Sequence, residues 1–141
     1  MTKQCGAMSN SNKNADLNLS PDSMYNRVGG ERFFLKLVDK FYEFVETDKL
    51  LRPMYPNDLN PGKSHLAGFL SQYWGGPANY SAERGHPRLR MRHSGFAIGK
   101  PERDAWMKHM KSALTSMQIQ HDDYQVMIGY FENTATMMMN H

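Results

Sequence analysis

Hydrophobic residues in this chain recur mostly at intervals of three and four, the period of a helix with one buried face. The clearest stretch is ERFFLKLVDKFYEFVETD, where Phe34, Leu37, Val38, Phe41 and Val45 share a stripe and Tyr42 sits at its shoulder. It predicts an amphipathic helix of about four turns. A second helix opens at Asn60 and Pro61, read as N-cap and first helical position, and carries Leu66, Phe69, Leu70, Tyr73 and Trp74 on one face. Gly75, Gly76 and Pro77 stop it. Pro101 opens a third, with Trp106, Met110, Ala113, Leu114 and Met117 in its stripe, and a fourth carries Tyr124, Met127, Ile128, Phe131, Ala135 and Met138. Ahead of them, Ser20 as N-cap, Pro21 and a stop at Gly29 and Gly30 predict one short helix. No alternating pattern of useful length predicts a strand, so the class is all-α, with four long helices and two or three short ones.

Residues 1–19 are polar, rich in Asn, Ser and Lys, and cannot bury enough apolar area to offset chain entropy. They read as a disordered tail ahead of one domain spanning 20–141, which suits a chain of 141 residues. Composition then excludes several classes. The single cysteine, Cys5, allows neither an internal disulfide nor a cysteine-based zinc cluster. No apolar run has the length of a signal peptide or membrane span, so the expected setting is cytoplasmic, with no membrane partner. Lys and Arg exceed Asp and Glu by 17 to 14, a mild excess that does not by itself mark a nucleic-acid binder.

The basic excess is concentrated in RGHPRLRMRHSGF, residues 84–96. At about 100° per residue, His86, Leu89, His93 and Phe96 fall on one stripe of a short helix, with Arg84, Arg88 and Arg92 on the other side. Pro87 suits its first turn and Gly95 its stop. His93 thus lies among apolar residues. It reads either as a core histidine satisfied by a carbonyl or as an axial haem ligand, which needs one nitrogen for iron and the other fixed by protein. Spacing does not choose between these. The arginines separately admit a helical module that binds nucleic acid.

The run QYWGGPANYSAERGHPRLRMRHSGFAI, residues 72–98, followed by ERDAW at 102–106, resembles the signature region of the group II truncated haemoglobins. The similarity extends from about Met24 through VGGERFF, FYEFV and LRPMYP to the last helix. The resemblance implies a 2-on-2 helical sandwich holding haem b, with His93 as proximal iron ligand. It places Tyr42, Tyr55 and Trp106 as hydrogen-bond donors on the distal side, and Gly62 where a missing side chain leaves a route to the iron. Arg92 and Tyr80 are the expected propionate contacts. Leu66 walls the pocket, and Phe69, Leu70, His86, Leu89, Phe96 and Ile98 complete the lining. His65 is expected to reach a propionate or solvent, with sixth-ligand binding as its alternative. Arg84, Arg88 and Arg90 are expected on a solvated face. His109, His121 and His141 carry no metal pattern, and the 12 methionines read as core filler or tail.

The implied function is reversible binding of O₂, NO or CO, directed to scavenging or redox protection rather than bulk transport, in a monomer or weak homodimer. Electrons would come from a separate reductase, since the chain carries no flavin or nicotinamide fingerprint. The alternatives are a haem enzyme with peroxidase or nitric oxide dioxygenase activity and the nucleic-acid module. These separate on simple grounds: a haem protein absorbs in the Soret region, whereas nucleic-acid binding weakens steeply with salt.

Overall fold

A computed structural model of the chain describes residues 22–85 and 87–141. The expected tail, Ser20, Pro21 and His86 lie outside the described residues. The described residues form helices α1 (Met24–Val28), α2 (Glu31–Glu46), α3 (Asn60–Tyr73), α4 (Asn79–Arg84), α5 (Leu89–His93), α6 (Lys100–Ser116) and α7 (His121–Met137), with a 3-10 turn at Arg52–Met54 and no strand. Four are long and the rest short, as the periodicity predicts. The contacts group into two compact units: one takes the chain up to Lys36 and Gly62–Pro87, the other Leu37–Pro61 and Arg88–His141.

The α2 stripe is the core of the sequence reading and of the structure: Phe34, Leu37, Val38, Phe41 and Val45 are fully buried and Tyr42 nearly so. Helix α1 starts three residues later than the proline pattern predicts, because the Ser23 hydroxyl accepts from the Asn26 amide at 3.2 Å and acts as N-cap. Its expected stop holds, with Gly29 in the left-handed region at φ 118°, a conformation that favours glycine.

In the first unit, Tyr25 stacks on Phe34, and Phe34 on Trp74. The buried face of α3 is Ala67, Leu70, Ser71 and Trp74, rotated by one position from the predicted stripe. Tyr73 is therefore 53% exposed, while Leu66 and Phe69 are half-buried on the flank. Gly76 explains the rotation's end point: its amide donates to the Ser71 carbonyl at 2.8 Å while the Tyr25 amide donates to the Trp74 carbonyl at 2.8 Å. The Tyr25 ring lies where a Gly76 side chain would be.

In the second unit α6 packs on α7, burying Met107, Met110, Ala113 and Leu114 of the first and Met127, Ile128, Phe131 and Ala135 of the second. Pro101 sits in the first turn of α6, and the Glu102 carboxylate accepts from the Gly99 amide at 2.8 Å. Asn140 ties the segment between α5 and α6 in place: its side-chain oxygen accepts from the Ile98 amide and its side-chain nitrogen donates to the Phe96 carbonyl, each at 2.8 Å.

A Cβ at Gly76 would lie 2.7 Å from the Tyr25 ring and 2.8 Å from the Ser71 carbonyl oxygen, a backbone atom that cannot swing away. Gly76→Ala is therefore expected to cost about 1–3 kcal/mol and to lower the melting temperature by about 5 °C or more. An unchanged melting curve would contradict this packing.

Candidate functional site

His93 is the last residue of α5, the short helix that follows Pro87. The predicted longer helix is cut back because Gly85 and Arg88 have positive φ, 74° and 49°, and break the chain on either side of Pro87. Half-buried, the imidazole donates from Nδ1–H to the Leu89 carbonyl one turn back at 2.6 Å. That bond fixes the tautomer: Nδ1 carries the proton and Nε2 keeps its lone pair. No described residue bonds Nε2. The donor set therefore fits an axial haem ligand, one nitrogen held by protein and the other available to iron.

The remaining residues on and after α5 divide. Leu89 is half-buried and Ile98 buried. Phe96 departs from the predicted apolar stripe: α5 ends before it and the ring is 43% exposed. Arg88, Arg90 and Arg92 are exposed.

The same unit gathers the three polar aromatics from separate elements. Tyr42 lies on α2, Tyr55 ends the 3-10 turn and Trp106 lies on α6. The Tyr42 and Tyr55 rings meet edge-on at 5.7 Å, their planes 80° apart. Phe41 and Phe131 flank the indole at 5.1 and 5.9 Å. Burial pushes the hydroxyl pKa of both tyrosines up, in Tyr55 well above its ordinary range with the nearby Tyr42 adding to the effect. Both phenols consequently remain protonated donors throughout the physiological range. The arrangement can offer two O–H groups and an indole N–H to an electron-rich ligand.

In the other unit, Tyr80 is buried against Phe69, ring centroids 5.4 Å apart, and Leu70 is buried beside them on α3. Gly62 lies in the first turn of α3 and His65 one turn on, both half-buried. Arg84 corrects the expectation of a solvated arginine. Its guanidinium reaches over the Tyr80 ring at 5.9 Å and donates from Nη1 to His65 Nε2 at 3.1 Å, and its buried Nε has no hydrogen-bond partner among the described residues. Helical spacing alone puts Arg84 on the outer face of the helix that carries His93; the break at Gly85 puts it on α4 instead.

One pair went unnoticed in the sequence. His109 Nε2–H donates to Asp48 Oδ2 at 2.6 Å, with the two side chains only 13% and 17% exposed. The His109 ring also stacks on Phe44. The bond to His109 is the main cause that holds the Asp48 carboxyl below its ordinary value, assisted by the Leu51 and Leu50 amides.

Comparison with known proteins now decides the family. A family model described as bacterial-like globin matches residues 23–140. The chain is a member of the bacterial-like globins. It is 40% identical to the group 2 truncated haemoglobin YjbI of Bacillus subtilis, over 79% of this chain and 84% of that one. The haemoglobin of Chloroflexus aurantiacus superposes with a TM-score of 0.83 at 50% identity, covering 84% of this chain and 98% of that one. The truncated oxygen-avid haemoglobin of B. subtilis superposes with a TM-score of 0.80 at 39% identity, covering 84% of this chain and 100% of that one. This globin thus has the truncated, group II architecture, and its family implies a haem cofactor and haem-based ligand binding. None of its described helices is long and apolar enough to cross a membrane.

Because the folded-state pKa of Asp48 lies below its unfolded value near 3.8, the pair's contribution to stability is complete above that value. It is lost as pH falls through the folded pKa. Asp48→Asn should thus lower the urea midpoint at pH 7, and the gap from wild type should shrink below about pH 4. A gap independent of pH would contradict the assignment.

Proposed function

We propose that this globin holds haem b through Nε2 of His93 and retains bound diatomic ligands tightly. On this reading it serves scavenging or redox protection rather than bulk oxygen transport. The observation that carries the reading is the 2.6 Å bond from His93 Nδ1–H to the Leu89 carbonyl, which leaves Nε2 as a lone-pair donor. When bound, haem supplies an iron coordination site for ligands such as O₂, NO and CO.

Tyr42, Tyr55 and Trp106 act as the polar side of the ligand pocket. The tyrosine O–H groups and the indole Nε1–H donate toward a ligand that carries negative charge, and their apolar surroundings keep competing water away. The oxygen-avid description of the B. subtilis relative supports tight retention. Gly62 leaves the route to the iron open, and Leu66, Phe69 and Leu70 form the apolar wall. Arg92 and Tyr80 take the propionates, with Leu89 and Ile98 completing the lining. The bond from Arg84 supports a propionate-side place for His65, because it occupies the Nε2 that iron ligation would use. Sustained redox turnover draws electrons from a separate reductase. A single cysteine, Cys5, suits a reducing cytoplasm.

A hydrogen bond to a charged group is worth about 1.5–3 kcal/mol, or roughly ten- to a hundredfold in dissociation rate. Trp106→Phe and Tyr55→Phe should each speed O₂ dissociation from the ferrous protein severalfold or more in a stopped-flow experiment. Rates equal to wild type in both would overturn the ligand-holding reading.

A further inference from the structure

We infer that Asp48 and His109 form a positioning brace that holds Tyr55 and Trp106 in place as donors, so that ligand retention depends on this pair as well as on the donors. The inference rests on the proposed distal role of Tyr55 and Trp106. Neither Asp48 nor His109 needs to touch the ligand; they act through the two residues that do.

The geometry runs in two directions from one carboxylate. Through Oδ1, Asp48 accepts from the Leu50 amide at 2.8 Å and the Leu51 amide at 3.1 Å, which shapes the turn after α2. Its own carbonyl accepts from the Arg52 amide at 2.8 Å, and the Arg52 carbonyl accepts from the Tyr55 amide at 3.1 Å. Arg52 then closes the far side, its guanidinium donating to the carbonyls of Tyr55, Pro56 and Asn57. The backbone that carries Tyr55 is therefore set from Asp48.

Through Oδ2 the same carboxylate accepts from His109 Nε2–H at 2.6 Å, a short bond. His109 lies on α6 three residues beyond Trp106, and residues so spaced share a helix face. The stack of His109 on Phe44, centroids 5.7 Å apart and planes 14° apart, adds α2 to the connection two residues from Tyr42. One shielded pair thus ties the turn bearing Tyr55 to the helix bearing Trp106. The placement of those two side chains, the indole against Phe41 and the phenol edge-on to Tyr42, is what it protects.

The test uses the full-length ferrous protein and two readouts. Asp48→Ala and His109→Leu should speed O₂ dissociation by about three- to tenfold, whereas His109→Gln, which keeps a side-chain N–H donor, should stay within about twofold of wild type. Asp48→Asn, nearly isosteric, covers the case in which the harsher variants fail to fold and should still give a clear acceleration. In a Tyr55→Phe background the same changes should add less than in wild type, because one of the two donors the brace positions is then gone. Independently of any gas, solvent exchange of the Trp106 indole N–H, followed by NMR, should quicken in His109→Leu and Asp48→Asn.

Wild-type dissociation and indole exchange in folded Asp48→Asn and His109→Leu would overturn the brace, as would an undiminished effect in the Tyr55→Phe background. Failure of the underlying reading looks different: Tyr55→Phe and Trp106→Phe themselves would leave dissociation unchanged, while indole exchange would still report whether the brace exists.

Discussion

The hydrogen bond from His93 Nδ1–H to the Leu89 carbonyl is the constraint on which the proposed chemistry of this globin depends. An imidazole with both nitrogens satisfied by protein would be an ordinary core residue. With Nδ1 held at 2.6 Å by its own helix, the ring is oriented and its Nε2 lone pair is kept available. The bond costs the protein little sequence, because it is made within one helical turn. What it requires is that α5 be short, in place and correctly started. Gly85, Pro87 and Arg88 start it, and Asn140 fixes the segment that follows it.

To the proposed ligand the same unit adds a group of donors whose own state is controlled by burial. Tyr42 and Tyr55 are held protonated, and Trp106 can only donate, so the polarity of the group does not change with physiological pH. The three side chains come from three elements of one compact unit, and their mutual arrangement needs an external reference. The Asp48–His109 pair supplies one, joining residues 61 positions apart in sequence through a bond that solvent hardly reaches.

Much of the fold was legible because helical periodicity reports burial directly. The α2 stripe, the stop at Gly29 and Gly30, and the Pro101 opening of α6 all follow from local rules. The errors share a physical cause. Periodicity locates an apolar face to within about one residue, and α3 lies at that limit: packing chose Ala67 and Ser71, small residues with weak apolar signal, over Tyr73. Likewise, treating residues 84–96 as one helix hid the break at Gly85 and misplaced both Arg84 and Phe96. The candidate site is legible through the family motif, since nothing local distinguishes an iron-binding histidine from a core one. His109 and Asp48 carried no such motif. Their partnership is a tertiary contact, and the only local hint was the spacing of His109 from Trp106.

The most direct test of the central claim is resonance Raman spectroscopy of the deoxygenated ferrous protein, read for the iron–histidine stretching band. The band should be present in the wild type, absent from His93→Gly, and restored when free imidazole is added to that variant. A band that persists unchanged in His93→Gly without imidazole would show that another residue ligates the iron, and would contradict the account.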